Sequence, residues 1–187
     1  MEIEITLKRI GRKMRNEKGF TLVELLVAMA VGAIVMTSAY SMYVSQQKAY
    51  QITEEVTALH QNLRASMFFI ERDLRMAGYN PTKAATSFGF TGMTASSVDV
   101  TMDSVLENGA IGTGETISYS ISGNTLLRNC VIVADNITGV AFTYLDTNGS
   151  VTALKSSVRS VDVSLSGSEG VHTRQLTARV RCRNMGL

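Results

Sequence analysis

Residues 20–44, from Phe20 to Val44, form an apolar run with one formal charge, Glu24. A run of that length reads as a membrane-spanning helix. No Pro interrupts residues 20–77, and Gly32 is their only glycine. An acid within a lipid-ready helix costs about 2.5–3.5 kcal/mol at mid-bilayer on insertion scales. Glu24 is therefore a functional candidate that needs a partner.

The flanks give the run a direction. Residues 1–19 hold six bases (Lys8, Arg9, Arg12, Lys13, Arg15 and Lys18) against Glu2, Glu4 and Glu17. The whole chain is only +2, so the remainder has a slight acidic excess. Basic residues stay on the cytoplasmic side of a span, which puts the leader inside and the rest outside. A cleaved secretory signal would need small residues after the apolar segment, whereas Ser45-Gln46-Gln47-Lys48-Ala49-Tyr50 follows Val44. The near-neutral total implies no general attraction to nucleic acid.

The helical pattern outlasts the apolar run. Val56, Leu59, Leu63, Met67, Ile70, Leu74 and Ala77 recur at steps of three or four. Glu54, Glu55, Gln61, Asn62, Arg64, Glu71, Arg72 and Arg75 occupy the other faces, so one stripe of this half must be buried. Gly78 is a C-terminal stop, with Pro81 just beyond. The spacing predicts one helix over residues 20–77, some 58 residues and roughly 85–90 Å long. The methionines within it read as adaptable packing.

Beyond residue 80 the pattern changes. Residues 80–97, rich in Thr, Ser, Ala and Gly, read as a connecting loop. Strands are predicted near Val98–Met102, Thr116–Ile121, Thr125–Val133, Gly139–Leu145, Val158–Ser166 and Val171–Arg183. Turn signals at Ser122-Gly123-Asn124, Asp146-Thr147-Asn148-Gly149 and Gly167-Ser168-Glu169-Gly170 separate several of them. Short connections favour one antiparallel sheet, its apolar face receiving the helix stripe. The fold class is α+β: a long N-terminal helix, half transmembrane and half amphipathic, on a C-terminal antiparallel sheet. The divisions are a leader at 1–19, a span at 20–44, an amphipathic half at 45–79 and a β-rich domain at 80–187.

Other chemistry is sparse. Cys130 and Cys182 are the only cysteines, and an oxidising compartment would permit one disulfide or leave two small apolar side chains. Asp146-Thr147-Asn148-Gly149 holds part of a calcium loop, but without the distal Glu it reads as a turn. Arg179, Arg181 and Arg183 line one face of the last strand, which suits a solvated edge better than a polyanion site, since no aromatics interleave them. His60 and His172 are the only histidines and lie far apart in sequence. No nucleophile motif, phosphate loop or zinc set occurs, so an enzyme is not expected and no cofactor or metal is implied.

Gly19-Phe20-Thr21-Leu22-Val23-Glu24-Leu25-Leu26-Val27-Ala28 resembles the prepilin motif of type IV pilins and type II secretion pseudopilins. The likeness lies in a Gly ending a short basic leader, then Phe-Thr-Leu-Val-Glu-Leu, then an unbroken apolar helix. Gln61-Asn62-Leu63-Arg64-Ala65 and Glu71 through Tyr79 resemble the helix end of PilW-type minor pilins. Phe142-Thr143-Tyr144-Leu145-Asp146 and Arg181-Cys182-Arg183-Asn184 resemble the C-terminal pattern of that group and of the J-type minor pseudopilin. Major pilins often carry a mid-helix Pro, which is absent here, so any melting on assembly would begin elsewhere, such as around Gly32.

The resemblance implies cleavage between Gly19 and Phe20 by a prepilin peptidase and N-methylation of Phe20. It makes Glu24 the assembly residue. A neighbouring subunit's Phe20 ammonium would neutralise Glu24, with the attraction amplified in a low dielectric. The implied partners are other minor and major pilin subunits, the peptidase and an inner-membrane assembly platform. The implied location is the inner membrane before assembly, with the β-rich domain periplasmic, and the pilus afterwards. A minor pseudopilin of a type II secretion system and a single-span anchored binding module are the alternatives.

Overall fold

The computed structural model describes residues 19–83, 88–105 and 107–185. Residues 1–18 of the leader lie outside the described residues. Two compact units emerge, Met1–Ala49 and Tyr50–Leu187. Helix α1, Leu22–Met76, contributes residues to both.

In the first unit every residue from 19 to 43 is exposed. The helix contains an 18-residue window long and apolar enough to cross a membrane, with none of it buried. Its hydroxyl side chains donate to carbonyls of their own helix. Thr37 Oγ1 reaches the Ala33 carbonyl at 2.8 Å, Ser38 Oγ that of Val35 at 2.9 Å, Ser41 Oγ that of Ser38 at 2.8 Å, and Ser45 Oγ that of Ser41 at 3.0 Å. A segment bound for lipid must satisfy its polar groups internally, and these bonds do so.

In the second unit the predicted stripe is the buried one. Leu59, Leu63, Met67, Ile70, Leu74 and Ala77 are buried and Val56 is half-buried. Ser66 and Asp73 are also buried, so the stripe is wider than its apolar positions. Gly78 stops the helix with φ +80°, a conformation that favours glycine. Its N–H donates to the Thr101 carbonyl at 3.1 Å, and Asn184 Nδ2 donates to the Arg75 carbonyl at 3.2 Å. The helix C-terminus is thus capped by two distant parts of the chain.

Among the described residues eight strands follow: β1 (Gly89–Met93), β2 (Val98–Thr101), β3 (Thr116–Ser122), β4 (Thr125–Arg128), β5 (Val131–Asp135), β6 (Ile137–Leu145), β7 (Ser160–Glu169) and β8 (His172–Arg181). A short 3₁₀ turn, Lys155–Ser157, precedes β7. The expected single sheet is in fact two, both antiparallel: β1-β2-β3-β4-β5 and β6-β7-β8. The break falls at Asn136, whose φ of +63° redirects the chain between β5 and β6. Residues 89–93, expected within a loop, form β1 and pair with β2 through a bulge between Phe90 and Gly92. The strand expected over Thr125–Val133 is two strands joined by a turn at Asn129-Cys130, both with positive φ. In β7, Val161, Val163 and Leu165 face inward while Ser160, Asp162, Ser164 and Ser166 face outward, the period-2 pattern of a half-buried strand.

One core joins these parts. The helix stripe packs with Val98, Val100, Ile117 and Leu126 of the first sheet and with Ile137, Phe142, Val161, Val163 and Val180 of the second. A Cβ on Gly167 would lie 2.8 Å from Leu59 Cδ1 and 2.7 Å from the Asn136 carbonyl oxygen, so β7 approaches the helix where only glycine fits. Tyr144 Oη donates to the Thr94 and Ser97 carbonyls at 3.0 and 3.1 Å, tying β6 to the β1–β2 turn.

Candidate assembly site at the helix start

The site is built by a cap. Thr21 precedes the first helical residue, and its Oγ1 accepts from the Glu24 N–H at 3.2 Å. The Thr21 carbonyl accepts from the Leu25 N–H at 3.1 Å. Thr21 is thus the N-cap and Glu24 the third helical residue, where a carboxylate complements the helix dipole. The Thr-x-x-Glu spacing is the capping-box signature, a sequence signal that reading Glu24 only as an acid in a membrane overlooked.

Gly19 and Phe20 lie ahead of the cap, outside the helix and exposed; Phe20 is 84% exposed. Its own atoms and its two chain neighbours aside, no heavy atom of the described residues lies within 4 Å of a Cβ built on Gly19. The peptide bond between them is in open backbone, while the helix start is fixed one residue later by Thr21.

The remaining candidates do not converge. Both cysteines are free: Cys130 is exposed in the β4–β5 turn and Cys182 is buried after β8, so the one disulfide they could make is not formed. Burial pushes the Cys182 thiol up to about 12. Asp146 Oδ1 accepts from the Asn148 and Ser150 N–H groups at 2.8 and 2.9 Å, which makes 146–150 a side-chain-stabilised turn. Arg179 grips Asp162 with two bonds of 2.6 and 2.7 Å across the β7–β8 pair, while Arg181 and Arg183 are exposed. His60 is exposed on the helix and His172 opens β8. No group of three or more metal-binding side chains occurs among the described residues.

The structure also shows a buried polar cluster that sequence periodicity did not reveal. The Asp73 side chain is 5% exposed, and its Oδ2 accepts from Tyr119 Oη at 2.6 Å and Arg128 Nε at 2.7 Å. Arg72 Nε lies 3.2 Å from Oδ1. Burial, and then the neighbouring carboxylate, hold the Tyr119 hydroxyl well above its ordinary range. The hydrogen bond to Asp73 raises the Arg128 guanidinium further. The cluster ties the helix to β3 and β4. A second pair shapes the loop before β3: Asp103 accepts from the Asn108 and Gly109 N–H groups, and Glu115 from those of Val105 and Gly112. Backbone donors satisfy both carboxylates, which marks them as loop-forming groups.

A capped apolar helix with an acid in its first turn, on an α+β unit of two antiparallel sheets, defines a chain built for anchoring in a membrane. Residues 14–40 match the family model of the prokaryotic N-terminal methylation motif. That match supports a type IV pilin-like or pseudopilin protein, and with it a structural subunit processed by prepilin peptidase. No solved structure matches the chain.

Proposed function

We propose that this chain is a minor pilin of the PilW type, a non-enzymatic subunit that initiates a type IV pilus or enters it at low copy. Cleavage between Gly19 and Phe20 frees the Phe20 amine, which is then N-methylated. The observation that carries this reading is the geometry of the cap. Thr21 still starts the helix after the cut, and the new ammonium then lies one residue before the N-cap. There the helix dipole disfavours a positive charge by about 0.3–1 kcal/mol, so the amine gains from a carboxylate. Glu24 of an adjoining subunit supplies it, and the pairing sets the axial step while apolar helix faces replace lipid around the stem.

Two measurements test this. Mass spectrometry of the protein from sheared filaments should find a chain beginning at N-methyl-Phe20; a chain that still begins at Met1 refutes the proposal. Glu24→Ala should leave membrane insertion intact and lower incorporation into filaments at least about tenfold, the effect of losing a charge pair of about 1.4 kcal/mol or more in a low-dielectric stem. A deletion that abolishes protein secretion and leaves piliation intact would assign the chain to the type II secretion machinery instead.

A further inference from the structure

Strand β5 ends the first sheet, with β4 on one side and, among the described residues, no strand on the other. Open sheet edges are normally blunted by charge or proline. Residues 131–134 carry neither, and Val131 and Ile132 are 67% and 60% exposed. Between this edge and the helix lies an open groove of about 250 Å³, lined by Phe69, Arg72, Arg128, Ile132 and Val133. A register shift against β4 leaves Val133 without an opposite residue, so Ile132 and Val133, neighbours in sequence, both reach the groove. The charge of the groove is unbalanced. Arg72 and Arg128 share the single carboxylate of Asp73, at 3.2 and 2.7 Å, which leaves one positive charge in excess. The Arg72 guanidinium lies 5.5 Å from the centre of the Phe69 ring, a contact that holds it in place. The far end of β5 has the opposite sign: Asp135 is exposed there, and its carbonyl accepts from Asn62 Nδ2 at 3.4 Å.

We propose that the β5 edge binds the carboxyl-terminal end of a partner polypeptide, added as an antiparallel strand, with its last apolar side chain in the groove and its α-carboxylate between Arg72 and Arg128. The polarity of β5 selects that direction. Val131 pairs with Arg128, so β5 starts at the basic end and finishes at Asp135. An antiparallel strand finishes where β5 starts, which brings its terminal carboxylate to the guanidinium groups; a parallel one would bring it to Asp135. The edge supplies backbone hydrogen bonds, and the groove selects an aliphatic last residue. At about 250 Å³ the groove is smaller than the roughly 300–1,000 Å³ of small-molecule pockets, so it would enclose a free carboxylate poorly, whereas a chain end is held along the whole edge. A basic residue a few positions upstream would lie beside Asp135. The inference goes beyond the processing reading and stands apart from it, because the site lies wholly within the second unit.

The test uses the full-length, uncleaved chain in detergent and fluorescein-labelled heptapeptides of alternating valine and threonine, with lysine four positions before a C-terminal leucine. Binding is followed by fluorescence anisotropy against empty micelles. The free-acid peptide should bind, its C-terminal amide should bind about tenfold more weakly, and added salt should narrow the difference. Arg72→Gln should weaken the acid about tenfold and remove the preference over the amide. Ile132→Asp should weaken the acid at least about tenfold by setting a like charge against it. Both side chains are largely exposed, so Cys182 should stay as protected from a maleimide as in the unmodified chain; the acid–amide comparison needs no variant at all. Equal affinity for acid and amide, or no binding of either at about 1 mM, overturns the proposal. So does an amidated peptide with an internal aspartate that binds as tightly as the free acid, since the ligand would then be an acidic segment and not a chain end. Because the leader is retained, none of these results bears on cleavage at Gly19.

Discussion

Replacing Asp73 with Ala probes the cluster that ties the helix to the first sheet. The substitution leaves Tyr119 Oη, on a residue 1% exposed, without its acceptor at 2.6 Å. An unsatisfied buried hydroxyl costs about 1–3 kcal/mol. Arg128 also loses its partner, but its side chain is 31% exposed and can turn to water, so its share approaches that of a surface pair, at most about 1 kcal/mol. The total, about 3 kcal/mol, lies at the low end of the range for breaking a fully buried pair. The two free thiols supply the assay. Cys130 is exposed and reacts at once with a maleimide, whereas Cys182 is 2% exposed and reacts only when the unit opens. Rates are taken in urea, where the dependence on denaturant shows that exposure follows opening of the whole unit. With about 1.4 kcal/mol per decade, Asp73→Ala should speed Cys182 labelling about 150-fold. Tyr119→Phe, which leaves Asp73 with Arg128, should speed it about tenfold. In the Tyr119→Phe background, Asp73→Ala should then add at most about another fivefold, because the orphaned hydroxyl is gone and only the Arg128 share remains. An effect of Asp73→Ala below about fivefold, or simple additivity of the two changes, refutes the reasoning.

Two further outcomes follow from buried groups and turn geometry. Tyr119, Tyr144 and Cys182 are held protonated by burial, each above its ordinary range. The folded state therefore keeps protons that the unfolded chain releases. Stability should be flat below about pH 8.5, fall first through Cys182, and steepen above about pH 10 as each tyrosine adds about 1.4 kcal/mol per pH unit. Urea midpoints between pH 8 and 11 measure this, and Tyr144→Phe should make the decline above pH 10 shallower. Cys130 takes φ +64° as the second residue of the β4–β5 turn, after Asn129 at +51°. Cys130→Gly should stabilise the unit by about 0.5–1 kcal/mol and slow Cys182 labelling about two- to fivefold, since a two-residue hairpin with both φ positive prefers Asn-Gly.

Legibility varied with how locally each element is specified. The helix from Leu22 to Met76 and its buried stripe were readable because a period of 3.6 repeats over many turns and Gly78 stops it. Strands β2, β3, β6, β7 and β8 were readable from alternation between recognisable turns. Strand β1 was not: Gly89-Phe90-Thr91-Gly92-Met93 carries two glycines and no alternation, and pairing with β2 makes it a strand. The β4–β5 turn was hidden because Cys130 stands where glycine would have announced it. The split into two sheets depends on Asn136, with neither Gly nor Pro to mark it. At the candidate site, the motif singles out Gly19, Phe20 and Glu24 as candidates, while the capping position of Thr21 was visible in the Thr-x-x-Glu spacing but unread. Asp73 escaped notice because its partners, Tyr119 and Arg128, lie 46 and 55 residues away.

The self-directed hydroxyls of Thr37, Ser38, Ser41 and Ser45 bear on how such a helix could change surroundings. Each proton is already engaged by a carbonyl of the same helix, so these residues ask nothing of whatever lies outside. Acyl chains and the flanks of sister helices are then nearly equivalent solvents for this stretch. On the proposed assembly, exchange of one for the other would be resisted mainly at a single carboxylate, and Glu24 would be the point at which departure from the bilayer is gated.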